Sequence, residues 1–210
     1  RREAAMTLPT VEQVRALLEA ATDDFRPFVA LCAFAGLRLG EAAGLQRNDV
    51  DFLRKRLQVS RQVQRGQGGG VEIRAPKWGS ERSVYLPDEL LMMLGQHFES
   101  CGPVWLFRGQ GDNPPHQNSV GYRWRRTCRQ AGVTGLRLHD LRHFTASGLI
   151  AAGCDVVQVQ RALGHASAAM TLRVYSHLWP SSEDRTRQAA SSLMASVSAT
   201  DRQQDHPSGL

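Results

Sequence analysis

The sequence predicts an α+β fold that is mainly α-helical and carries a small three-stranded antiparallel β-sheet. Two patterns predict it. Apolar residues recur at helical spacing over 11–45 and again after residue 87, whereas between 56 and 87 they alternate with polar residues, as in half-buried strands. The size agrees, because 210 residues with 41% hydrophobic and 22% charged side chains suit one ordinary globular domain.

Three helices are expected in the first part of the chain. Thr10 can cap a helix that begins at Val11, because Gln13 stands at the third helical position and completes a capping box. Residues 25–34 are apolar almost all round, which predicts a second helix that is buried. A short third helix is expected over 39–45.

The sheet is expected over residues 56–87. Its first strand contains Leu57, Val59 and Val63, its second runs from Val71 to Arg74, and its third from Arg82 to Leu86. The glycine-rich segment 66–70 predicts a flexible hairpin turn. A phosphate-binding loop is disfavoured there, since such a loop needs Gly-Lys-Ser/Thr at the start of a helix and a strand follows instead.

The rest of the chain is predicted to be helical. Helices are expected at 88–98, 118–131, 139–152, 155–163, 168–177 and 182–197. Residues 10–198 would then form the domain, 1–9 a linker into it, and 199–210 a flexible polar tail.

The charge balance favours an anionic partner. Lys and Arg number 26 against 20 acidic residues, a net charge of +6, and nucleic acid is the first candidate for a basic domain. The four cysteines stand alone, which suggests neither a zinc ribbon nor a disulfide framework and favours a reducing, cytoplasmic compartment. Cys32 and Cys154 have apolar neighbours and are expected to be buried. No apolar run reaches the length of a membrane span, so no membrane partner is expected.

The segment from His139 to His143 can carry chemistry in two ways. The two histidines are four residues apart and could bind zinc, but the metalloprotease pattern needs Glu after the first His, and Asp140 stands there. His139 and Arg142 are three apart on one helix face, and such a pair suits a phosphate group. The alternative is that Arg142 and His143 are solvated surface residues.

Two other segments contain residues that could be either structural or part of an anion site. Arg38 ends a nearly all-apolar segment, where a charge is costly unless it is paired or binds an anion, and Glu41 can orient it. The pair is either a helix-surface ion pair or part of an anion site. Further on, His165 follows Gly164, and Tyr175 lies on the next helix, where a lone tyrosine is usually a core residue.

Taken together, these pieces resemble the C-terminal catalytic domain of the tyrosine recombinases, the phage integrase family. The matching segments, in order, are Ala35 to Glu41 (the first arginine box), Lys77 (the hairpin lysine), Leu138 to His143 (the His-x-x-Arg box), Leu163 to His165 (the second histidine) and Tyr175 (the nucleophile). One departure is that His165 and Tyr175 are ten residues apart, where many relatives have nine. The longer spacing looks like that of phage integrases from GC-rich bacteria.

The resemblance implies the DNA breaking-rejoining fold and site-specific recombination through a covalent 3′-phosphotyrosine, as in phage integration and excision. The catalytic residues that it implies are Arg38, Lys77, His139, Arg142, His165 and Tyr175. The two arginines and His165 would hold the phosphate, His139 would accept the tyrosine proton, and Lys77 would donate a proton to the leaving 5′ oxygen. The chain has only two lysines, and a lysine is a better proton donor than arginine. Neither a metal nor a cofactor is required.

The resemblance also implies partners and a location. Expected partners are double-stranded DNA with attachment-type core sites, three further copies of the chain in a tetramer on synapsed DNA, and accessory DNA-bending or directionality proteins. Away from DNA a monomer is expected. The location would be the cytoplasm of a bacterial host, at the nucleoid. Residues 1–9 would then link to a missing N-terminal DNA-binding region.

Other activities stay open at this point. A resolvase, a transposon recombinase or a type IB topoisomerase would use the same chemistry. A DNA-binding module with a decayed site would bind without cleaving, and a zinc hydrolase would be built on His139 and His143.

Overall fold

The computed structural model describes residues 6–76, 79–179 and 186–196. Lys77 lies outside the described residues, as do the predicted tail and the first five residues of the predicted linker. The chain forms two compact units, Arg1–Ser176 and His177–Leu210. In the second unit, residues 186–196 are helical, which agrees with the part of the predicted helix over 182–197 that is described.

The first unit is mainly helical, as predicted. Among its described residues the α-helices are α1 (Val11–Ala20), α2 (Arg26–Phe34), α3 (Leu39–Ala43), α4 (Asp88–Phe98), α5 (Gln117–Gln130), α6 (Asp140–Ala151), α7 (Val156–Leu163) and α8 (Ala168–Tyr175). None of the described helices is long and apolar enough to cross a membrane.

Helix α2 is the centre of the core. All residues from Pro27 to Ala33 are buried, as the sequence predicts, because the helix packs against α1, α4 and α6. Phe28 and Leu31 are each at most 1% exposed. The capping box of Thr10 and Gln13 at the start of α1 is present, with Gln13 N donating to Thr10 Oγ1 at 3.2 Å.

Among the described residues the strands form two small sheets rather than one. A three-stranded antiparallel sheet has the order β1-β2-β5, and a separate hairpin pairs β3 with β4. The strands are β1 (Val50–Asp51), β2 (Arg56–Val59), β3 (Gln62–Arg65), β4 (Val71–Arg74) and β5 (Arg82–Tyr85). The glycine-rich segment 66–70 closes the hairpin, as predicted, with Gly66 N donating to the carbonyl of Gly70 at 2.9 Å.

The predicted first strand is therefore two strands, β2 and β3. The reason lies in α3, whose glycines let the β3 backbone come very close. A Cβ atom on Gly40 would lie 2.6 Å from the carbonyl oxygen of Val63, and one on Gly44 would lie 3.4 Å from Cα of Gln62. Packing against α3 thus takes β3 out of the sheet that β2 forms with β5.

A short turn connects α7 and α8 at the end of the first unit. Asp155 caps α7 through the amides of Val157 and Gln158, and Gly164 ends α7 in the left-handed conformation, with φ of +64°. Ser167 then caps α8. His165 consequently lies in a tight, well-defined turn between two helices.

One burial prediction was wrong. Cys32 on α2 is 1% exposed, but Cys154 is only partly buried. Cys154 lies in the turn between α6 and α7, just after Gly153, and a turn at the surface leaves one side of a side chain open to solvent.

Candidate active site

The site begins with Arg38, the residue before α3. Its Nη1 donates to Oε1 of Glu41 at 2.6 Å and its Nη2 donates to the carbonyl of Gly164 at 3.1 Å. Its backbone amide donates to the other oxygen of Glu41 at 3.0 Å, so Glu41 also caps α3. The Arg38 side chain keeps 27% of its surface exposed. Arg38 therefore combines the two predicted alternatives: it forms an ion pair with Glu41, and its exposed part can still bind an anion.

A second arginine shares the same carboxylate. From β5, Arg82 donates to Glu41 through Nη2 at 2.9 Å and through Nη1 at 3.2 Å, and its Nε donates to the carbonyl of Ala162 at 2.9 Å. Glu41 is 1% exposed. Burial by itself would raise the pKa of Glu41, but the hydrogen bonds and charge of Arg82, with the charge of Arg38, lower it to about 2. Glu41 is thus an anion at every physiological pH.

The third arginine, Arg142 on α6, is 1% exposed. Its Nη1 donates to the carbonyl of Gly36 at 2.5 Å, and its Nη2 donates to the carbonyl of Leu163. Burial and the positive charges of Arg38 and Arg82 lower the pKa of Arg142 to about 9. No carboxylate of the described residues forms an ion pair with Arg142. Its guanidinium is therefore held in place by neutral carbonyl groups, and the charge of Glu41 only partly offsets the effects of burial, Arg38 and Arg82.

Two histidines border this cluster. Nδ1 of His165 lies 2.9 Å from Oγ1 of Thr171, a fully buried residue of α8, and none of the described residues forms a hydrogen bond with its Nε2. Partial burial and the charges of Arg142 and Arg38 lower the pKa of His165 to about 3. His139, at the start of α6, is partly open to solvent. The protein atoms around its ring displace enough water that this desolvation, with the charge of Arg142, lowers its pKa to about 4. Both imidazoles are neutral at pH 7.

Tyr175 ends α8 and is 1% exposed. Its hydroxyl lies 2.8 Å from Nδ1 of His143 on α6. Its ring stacks on that of His165, with centroids 6.2 Å apart and planes 9° from parallel. Burial raises the pKa of Tyr175, while the charges of Arg142 and Arg38 act in the opposite direction. The phenol is therefore neutral in this state and lies within the field of both arginines.

The structure brings five of the six predicted site residues together: Arg38, His139, Arg142, His165 and Tyr175. Lys77, the sixth, lies outside the described residues. The alternative that Arg142 and His143 are solvated is wrong, since they are 1% and 9% exposed. Among the described residues no group of three or more His, Cys, Asp and Glu side chains is arranged to hold a metal ion.

Two residues of the cluster were missed. Arg82 occupies an inward position of β5, two residues before the buried Val84, and a charge on the buried face of a strand could have revealed it. His143 was considered only as a zinc ligand or as a solvated surface residue. Its proximity to Tyr175 joins residues 32 apart in the chain, and nothing in the local sequence indicates it.

Comparison with known proteins identifies the family of this chain. The family model described as "Phage integrase family" matches residues 9–181. The ICEBs1 integrase of Bacillus subtilis is 28% identical over 171 residues, which are 76% of this chain and 46% of the relative. A tyrosine recombinase, XerC-like, of Caldanaerobacter subterraneus is 27% identical over 194 residues, covering 80% of this chain and 50% of the relative. The chain thus spans about half the length of these relatives.

Solved structures share the fold. The Tn1549 transposon integrase in complex with a circular intermediate DNA superposes with a TM-score of 0.77 at 19% identity, covering 90% of this chain and 67% of that one. The catalytic domain of bacteriophage HP1 integrase gives a TM-score of 0.61 at 20% identity, covering 87% of this chain and 94% of that domain. With the family model matching most of its length and the tyrosine recombinase fold in its structure, the chain belongs to the phage integrase family.

Proposed function

We propose that this chain cleaves and rejoins DNA at specific sites through a covalent 3′-phosphotyrosine on Tyr175, as the catalytic part of a recombinase. One observation carries the proposal. Three guanidinium groups, those of Arg38, Arg82 and Arg142, surround a single carboxylate, that of Glu41. The cluster therefore has an excess of two positive charges next to a tyrosine hydroxyl, which suits a phosphodiester and its more highly charged transition state.

The phosphate would be held by groups whose orientation is already set. Arg38 offers a partly exposed guanidinium, and Arg142 uses two of its five donors on carbonyls, which leaves the others for a phosphate oxygen. When Thr171 donates to Nδ1 of His165, the proton of that ring sits on Nε2, which then donates to a phosphate oxygen. His139 is neutral and exposed at the edge of the cluster, a position from which it contacts the same phosphate.

The reaction exchanges one phosphate ester for another. Oη of Tyr175 gives its proton to an imidazole of the site and forms a bond to phosphorus, the bond from phosphorus to the 5′ oxygen breaks, and the 5′ oxygen takes up a proton. Lys77 is the donor in this proposal. The chain's other lysine, Lys55, forms an ion pair with Asp88 at the surface, with its ammonium 2.8 Å from the carboxylate, so this lysine already has a structural role. Rejoining runs the same steps backwards on a 5′-hydroxyl and needs no nucleotide, because the phosphotyrosine keeps the ester bond.

The partners follow from the reaction. Exchange between two duplexes needs four strand cleavages, which four copies of the chain on synapsed DNA would supply, with accessory DNA-bending or directionality proteins. The Tn1549 integrase, a structural relative, has been solved in complex with a circular intermediate DNA, which supports DNA as the substrate. The nucleoid of a bacterial host is the location that this substrate implies.

Covalent capture tests the proposal. The protein is incubated in EDTA with a pool of nicked random-sequence duplexes, denatured, and examined for a protein–DNA adduct by gel and mass spectrometry. We expect an adduct on Tyr175 that Tyr175→Phe abolishes. Tyr122→Phe, at a tyrosine that is 63% exposed on α5, is the matched control and should leave the adduct intact. A chain that binds DNA but forms no adduct, alone or within its full-length protein, would be a binding module instead.

A further inference from the structure

The hydroxyl of Tyr175 has one hydrogen-bond partner among the described residues, and that partner is His143. Nδ1 of His143 lies 2.8 Å from Oη, and the two rings meet at 66° with centroids 5.6 Å apart. Both residues are almost completely buried, at 9% and 1% exposed. A buried hydrogen bond of this length fixes which atom is next to the nucleophilic oxygen.

The other two histidines of the site are placed differently. His165 uses Nδ1 on Thr171 and presents its ring face, not a nitrogen, to Tyr175. His139 packs its ring edge-on against His143, with centroids 5.3 Å apart, and no described residue hydrogen-bonds its ring nitrogens. Of the three imidazoles, only that of His143 has a nitrogen within reach of the phenol proton.

We propose that His143, rather than His139, is the group that accepts the proton of Tyr175 when the tyrosine attacks DNA. The assignment rests on the proposed function and adds a catalytic residue to it. In the cleavage step, Oη bonds to phosphorus, the phenol proton moves to Nδ1 of His143, and the 5′ oxygen leaves with a proton from Lys77. In the rejoining step, the departing phenolate takes the proton back from His143.

The electrostatic surroundings permit this role. The charged and titratable groups facing His143 are Asp140, Arg137 and Arg142, with His139 on the same helix and Tyr175 on α8. Partial burial lowers the pKa of His143, Asp140 opposes that change, and the two arginines add to it. The imidazole is therefore neutral and able to accept a proton at pH 7. Because phenolate is the stronger base, the transfer becomes favourable only as the bond to phosphorus forms.

The first test compares rates of covalent capture on a duplex selected from the pool described above. His143→Asn places an amide oxygen near the position of Nδ1, so the hydrogen bond is kept and the base is lost. We expect capture to slow on the order of 10²- to 10⁴-fold. His116→Asn, at the cap of α5, controls for the same exchange away from the site and should change nothing, because Asn also caps a helix.

A second substrate separates this role from that of Lys77. When sulfur replaces the bridging 5′ oxygen, the leaving thiolate needs no proton, so a defect in proton donation is relieved. The defect of His143→Asn should persist on this substrate. In addition, the unsubstituted rate should fall with decreasing pH as His143 becomes protonated, and this dependence should disappear in His143→Asn but remain in His139→Asn.

A third measurement needs neither a variant nor DNA. In nitrogen-15 spectra of the unsubstituted protein at pH 7, His143 should carry its proton on Nε2 and have Nδ1 unprotonated. A proton on Nδ1 would mean that His143 donates to the tyrosine, which overturns the proposal. Capture by His143→Asn at the unsubstituted rate or faster would overturn it as well. If the unsubstituted protein forms no adduct, the proposed function fails, and the tautomer still tests the hydrogen bond by itself.

Discussion

Nη2 of Arg82 lies 2.9 Å from Oε2 of Glu41, and both side chains are almost completely buried. Arg82 also donates to the carbonyl of Ala162 at the end of α7. One guanidinium therefore ties β5 to α3 and to the turn that carries His165. Because these segments hold the phosphate-binding groups of the proposed site, the Glu41–Arg82 pair supports both the fold and the chemistry.

Removing the charge of Glu41 should destabilise the protein strongly. In Glu41→Gln the buried Arg82 loses its counter-charge, and breaking a buried ion pair in this way costs about 3–5 kcal/mol of unfolding free energy. Urea denaturation measures the difference. Asp88→Asn, which breaks the exposed pair with Lys55, should cost less than about 1 kcal/mol. Equal losses in the two variants would show that the buried pair has no special weight.

The same carboxylate should make stability depend on pH. Its pKa is about 2 in the folded chain against an ordinary 4.5, so its stabilisation is complete above pH 4.5 and is lost as the pH falls towards 2. The difference in unfolding free energy between the unsubstituted protein and Glu41→Gln should shrink over this window by an amount on the order of 3 kcal/mol. Denaturation curves at pH 5, 3.5 and 2 measure it, and a constant difference would contradict the assignment.

Gly164 should not tolerate a side chain. Its φ is +64°, and a Cβ atom there would lie 2.7 Å from Nη1 of Arg82, so Gly164→Ala adds a clash with the ion pair to backbone strain. We expect loss of covalent capture together with reduced stability. Gly153→Ala is the control. Gly153 has φ of +88°, but an added Cβ atom there would have no other atom within 4 Å. This variant should therefore lose only the backbone strain of about 1–2 kcal/mol in stability and keep the unsubstituted capture rate.

Thr171 should act through His165. Thr171→Val keeps the shape of a fully buried side chain and removes the hydroxyl 2.9 Å from Nδ1, which frees the ring to turn or to change its tautomer. The loss of one such hydrogen bond is worth roughly 1–2 kcal/mol, so capture should slow about tenfold. Thr171→Ser, which retains the hydroxyl, should be close to the unsubstituted rate. Equal defects in both variants would point to packing instead.

Local patterns were sufficient for most of the secondary structure. Helix caps and apolar periodicity depend on neighbours in the chain, which explains why the box of Thr10 and Gln13 and the buried helix α2 were predicted correctly. They were not sufficient for the break between β2 and β3. That break depends on the close approach of Gly40 and Val63, two residues that only the folded chain brings together.

The candidate site divides in the same way. The residue types of the site and their order could be read from the sequence, because a phosphate site needs arginines, histidines and a nucleophile, and these occur in recognisable boxes from Arg38 to Tyr175. The partners of these residues became visible only in the folded chain: Glu41 is shared by Arg38 and Arg82, and the hydroxyl of Tyr175 lies beside Nδ1 of His143. Charge sharing and proton transfer depend on distances of about 3 Å between residues far apart in sequence, and such distances are set by packing alone.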